Sequence, residues 1–140
     1  MDLNIPNHDL HIPDEYVAAL FLIEKQPHYE IPYNIQVMVL RDRYSLEEVM
    51  GKTNIAAHSF TYRYPDSQGV GALILFSRGN IELSVAAHEA THVALFYHAN
   101  QIKRVKARAL RWLRDHPESL ADMTGNLTAL IWEDLKHYRK

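Results

Sequence analysis

Val85-Ala86-Ala87-His88-Glu89-Ala90-Thr91-His92-Val93-Ala94-Leu95-Phe96 is the centre of a helical-looking stretch that runs from Ile81 to Asn100. No proline, glycine or second charge interrupts Val85 to Phe96. Four residues of α-helix advance about 400° and roughly 6 Å, so the rings of His88 and His92 leave one face and can close on a single ion. Glu89 stands about 100° around the same helix. That is too far aside to bind together with both imidazoles, yet near enough to reach a water beside the ion. Zinc lowers the pKa of its bound water to about 7, so a carboxylate in that place is suited to act as a general base.

The chain contains no cysteine, which excludes disulfides and thiolate zinc sites and fits a reducing compartment. Any zinc must therefore sit on nitrogen and oxygen, and a catalytic zinc takes a third protein ligand beyond the two histidines. His98 follows on the same stretch, but without a helix break at Leu95 it falls about 240° around from His92 and roughly 9 Å further along. Glu118 is the stronger candidate. It lies in Asp115-His116-Pro117-Glu118-Ser119-Leu120-Ala121-Asp122, where proline and acids mark a helix start. Glu118 and Asp122 share a face of that helix, so one carboxylate can bind the ion while the other accepts the free ring N–H of a ligating histidine. Two alternatives stand beside this: Glu118 as the capping-box partner of an Asp115 N-cap, and Asp122 as the ligand.

The His-Glu-x-x-His pentad, with its uncharged filler residues and apolar tail, resembles the zincin metallopeptidase motif. The stretch from His88 to His98 is superficially similar to the longer metzincin motif, but Leu95 stands where that motif has glycine. The downstream acids look like the gluzincin pattern, in which a later helix supplies a glutamate ligand and thermolysin-like members carry an aspartate four residues on. The likeness covers roughly residues 70 to 135, and only the pentad is a specific motif. It implies a compact zincin-like α+β domain with the metal helix beneath a small sheet and the glutamate helix behind it. It also implies Zn2+ held by His88, His92 and Glu118, with Glu89 as catalytic base and Asp122 as the acceptor that orients a ligand. The activity implied is hydrolysis of a peptide or protein substrate, held in a cleft between sheet and helices along a sheet edge near Val70 to Phe76. Small zincin-like proteins of bacteriophages and prophages are similar in size.

At 140 residues and 47% hydrophobic, the chain suits one domain with a proper core over 1–140. No apolar run approaches the roughly 20 residues of a membrane span. Met1 to Pro6 lacks a basic segment leading into an apolar one, so a cytoplasmic protein with no membrane partner is expected. Residues 1–12 read as loosely ordered, and Asp14 to Gln26 reads as an N-terminal helix through Val17, Leu20, Phe21 and Glu24. Residues 34 to 41 read as a strand, and Ser45 to Met50 as a short helix. Ile55 to Tyr64 forms a hairpin with Val70 to Phe76 across Pro65 to Gly69, with His58, Phe60, Tyr62 and Tyr64 on one face. Val70 to Phe76 is apolar enough to be covered on both sides. Asn80 is the expected N-cap of the pentad helix. Three helices follow, around 81–99, 101–114 and 116–138, so the fold class is α+β with a small, mostly antiparallel sheet.

The net charge of -2 is unevenly spread: no acid occurs between Glu89 and Asp115, where Lys103, Arg104, Lys106, Arg108, Arg111 and Arg114 fall. Ile102, Val105, Ala109, Trp112 and Leu113 recur among them at helical spacing, giving a packing face and a solvated one. An alternative to the enzyme is therefore a non-catalytic zincin-like module that contacts a host protein or nucleic acid through this basic helix. The single aromatic there, Trp112, falls on the packing face, which gives little support to nucleic-acid binding.

Overall fold

Strands β1 (Asp2–Ile5) and β2 (His8–His11) make a two-stranded antiparallel ribbon, and β3 (Val17–Ile23), β4 (Tyr33–Leu40), β5 (Ala57–Arg63) and β6 (Val70–Ser77) make a four-stranded sheet of order β3-β4-β6-β5. Helix α1 (Arg43–Met50) follows β4, and α2 (Leu83–Val105) and α3 (Pro117–Asp134) follow the sheet. This computed structural model describes residues 2–6, 8–23, 33–65, 69–105 and 117–139, with the backbone alone at 2–4, 33, 101–105, 117–119 and 122. The β3–β4 and β5–β6 pairs are antiparallel, and β4–β6 is parallel. Strand β6 is thus interior, and all eight of its residues are buried. That agrees with its unbroken apolar sequence and corrects the expectation of a sheet edge there: the edges are β3 and β5.

The segment expected to be an N-terminal helix is a short 3-10 turn, Asp14–Tyr16, followed by β3. Val17 to Ile23 is apolar at every position, so its helical spacing carried no phase information, and a short apolar run is as good a buried strand. Pairing with β4 decided the matter. Ala19, Phe21 and Ile23 pack toward the helices, whereas Leu20 and Leu22 remain exposed on the opposite side. Residues 2–11, expected to be loose, are anchored as a ribbon because Ile5, Leu10 and the neighbouring Ile12 enter a core with Met38, Leu40, Leu46, Leu73 and Leu75. Helix α1 starts two residues before its expected position because Asp42 caps it, accepting from Ser45 N at 2.7 Å and Ser45 Oγ at 2.7 Å. Gly51 ends it at φ 65°, the left-handed conformation that glycine adopts without strain.

The other face of the sheet carries the main core. Ile35, Val37, Val39, Ala72, Ile74 and Phe76 cluster there with Ala86, Ala90, Val93, Ala94 and Tyr97 of α2 and Met123, Leu127 and Ile131 of α3. Each fully buried large aliphatic side chain contributes about 1.5–3 kcal/mol, so this layer holds α2 firmly by one side. The alanines at 86, 90 and 94 keep that side thin enough for close approach. Helix α2 begins at Leu83, not after Asn80, which lies in the preceding turn with its backbone N–H on Ser77 O at 3.2 Å. It also runs through Asn100, where a break was expected, because neither proline nor glycine stops it before Val105. Among the described residues, no helix is long and apolar enough to cross a membrane.

Candidate metal centre

Helical phase distributes the side chains of α2. With Ala86, Ala90, Val93 and Ala94 turned into the core, His88 and His92 emerge on the exposed side. Their Nε2 atoms are 3.0 Å apart, and the rings meet at 78° with centroids 4.6 Å apart. Two nitrogens each about 2.0–2.1 Å from a tetrahedral zinc stand roughly 3.3 Å apart. The pair therefore presents close to the bite zinc requires, on a solvent-accessible face, with the right donor atoms. Two of the ligand positions fit the ion.

Glu89 points elsewhere. It is 5% exposed, lying between α2 and the edge strand β5, where its Oε2 accepts a hydrogen bond from Ser59 Oγ. Alternation along β5 explains the partner. Ser59 pairs with Ile74 in register and shares the helix side of the sheet with Ala57, while His58, Phe60 and Tyr62 take the other side. A buried carboxylate without a polar partner would be costly. His88 and Glu89 together line a groove of about 400 Å³, completed by Ser84, Val85 and residues Ile55 to Ala57. The pentad thus places His88 and Glu89 at one opening between sheet and helix, with His92 beside His88 on the exposed side of α2.

His58 lies close to this arrangement. Its ring meets Phe60 edge-on at 4.7 Å, and Phe60 meets His8 in the same way at 5.1 Å. Burial holds the His58 pKa below the ordinary histidine value, while the Glu89 carboxylate pulls it up and Lys52, His92 and His8 push it down. Neither Ser59 nor His58 was singled out from sequence as a site residue. The available signal was a hydroxyl at Ser59, in phase with Ala57 and Thr61 on the face opposite the aromatic row.

His98 is not brought to the pair. It is 1% exposed, its Nδ1 lies 2.8 Å from Ala94 O, and its ring packs on Tyr97 at 5.2 Å. Helix α2 passes Leu95 unbroken, so His98 stays off the ligand face as expected. Glu118 and Asp122 both belong to α3, which packs along α2, but their side chains fall outside the described residues. Among the described residues, no group of three histidines or carboxylates lies close enough together to hold a metal. Tyr62 and Tyr64 sit on the far side of the sheet, where their rings meet at 5.5 Å. Tyr97 is buried in the core, and His116 lies outside the described residues. Of the basic residues, Lys103 and Arg104 are on the last turns of α2 without described side chains, and Lys106, Arg108, Arg111 and Arg114 are outside the described residues.

Comparison with protein-family models, with curated protein sequences and with solved structures finds no match for this chain.

Proposed function

We propose that this chain is a zinc-dependent metallopeptidase with Glu89 as its general base. The observation that carries the reading is the convergence of the His88 and His92 Nε2 atoms to 3.0 Å at an open face, with Glu89 lining the same groove as His88. His88 and His92 would hold the ion with Glu118 as third ligand, and Asp122 would accept a ring N–H from one of the histidines. Zinc supplies Lewis acidity toward a carbonyl oxygen and toward water. The rest falls to the protein. Glu89 takes a proton from the water that attacks the peptide carbon, and returns it to the amine nitrogen as the C–N bond breaks. The groove between β5 and α2 holds the substrate against this carboxylate and limits its exposure to bulk solvent.

Metal analysis and peptide hydrolysis test the proposal together. The purified protein is expected to carry about one zinc per chain, and His88→Ala or His92→Ala to lose it. Glu89→Gln is expected to retain the metal while hydrolysis of a peptide library falls by on the order of 10²–10⁴. Zinc content unaffected by either histidine change would sink the reading.

A further inference from the structure

Glu89 is joined to α2 by a flexible side chain, so its place on the helix does not fix where its carboxylate points. The strand does. Its Oε2 is engaged by Ser59 Oγ, which tethers the carboxylate to β5. We infer that Ser59 is a positioning residue for Glu89: its hydroxyl registers the base against the edge strand, so that sheet and helix jointly set the distance from the carboxylate to the reacting water. This rests on the peptidase reading for its kinetic consequence, but not for the contact itself. Ser59 is well placed for the task because its strand is locked to β6 through the Ser59–Ile74 pair, and Ile74 is fully buried. A donor held on a paired strand moves less than one on a loop.

The test compares Ser59→Ala with Ser59→Thr, which keeps the hydroxyl on a residue suited to a strand. Ser59→Ala is expected to lower kcat about tenfold, a fraction of the roughly 10²–10⁴ that a positioned base contributes, with KM and zinc content unchanged. Ser59→Thr is expected to restore most of that loss, and Ser59→Ala to cost nothing further in a Glu89→Gln background. A second readout needs no turnover. In metal-free protein carrying 13C at glutamate carboxyls, the Glu89 resonance, identified by its absence in Glu89→Gln, is expected to shift in Ser59→Ala and to stay near its original position in Ser59→Thr. An unmoved resonance in Ser59→Ala overturns the inference, and so does a kcat loss that persists undiminished in the Glu89→Gln background. If the wild-type protein cleaves no peptide, the peptidase reading fails, while the resonance still decides whether Ser59 orients Glu89.

Discussion

His92 and His98 lie on the same helix, less than two turns apart, and meet opposite fates. His92 is exposed and aims a ring nitrogen at His88, whereas His98 is buried, with Nδ1 against the Ala94 carbonyl. Residue type is constant; helical phase relative to the core is what differs. Positions in step with Ala90 and Ala94 are taken up by packing, and a histidine there becomes a core residue. Positions on the far side stay open to a ligand. Glu89 falls between the two, buried yet lining the groove beside β5. The contrast shows why counting histidines does not tell which of them stay exposed, while spacing read against the apolar stripe does.

The largest effect that would break this contrast concerns metal affinity. His88→Ala is expected to weaken zinc binding by more than about 100-fold, since even loss of an outer partner costs roughly 10–100-fold, whereas His98→Ala should leave affinity unchanged. Competition with a chromogenic chelator reads both. The assignments on α3 extend the same scale. Glu118→Ala is expected to match His88→Ala, and Asp122→Ala to cost about 10–100-fold; reversal of that order would make Asp122 the ligand and Glu118 the cap. Stability inverts the comparison. In urea unfolding of the metal-free protein, His98→Ala is expected to cost on the order of 2–3 kcal/mol by leaving a cavity and a lost bond to Ala94 O, while exposed His88→Ala stays within roughly 0.5 kcal/mol.

The smallest effect concerns His58, half-buried beside the site. Burial lowers its pKa in the folded state, so below the ordinary histidine value the unfolded chain binds the proton more readily than the folded one. Its contribution is complete above that value and is lost as pH falls through it toward the lowered folded pKa. Urea titrations of metal-free protein across this range should therefore show less acid destabilisation in His58→Gln than in the wild type.

Much of the sheet and the pentad could be read directly. The alternation in Ile55 to Tyr64 and the apolar run from Val70 to Phe76 paired as a hairpin, and the second strand was covered on both faces. Local pattern was enough there because a two-sided apolar strand and a half-buried partner have distinct signatures. Val17 to Ile23 had no such signature, since seven apolar residues satisfy helix and strand alike. The parallel β4–β6 pairing was equally hidden, because it joins segments separated by α1 and β5.

That two imidazoles share one face of a long helix follows from the residues alone, because a spacing of four is bound to the pitch of the α-helix. Which strand forms the edge beside that helix, and that Ser59 meets Glu89, came from packing. Strand order and packing depth depend on contacts between residues remote in the chain, and local periodicity holds no record of them.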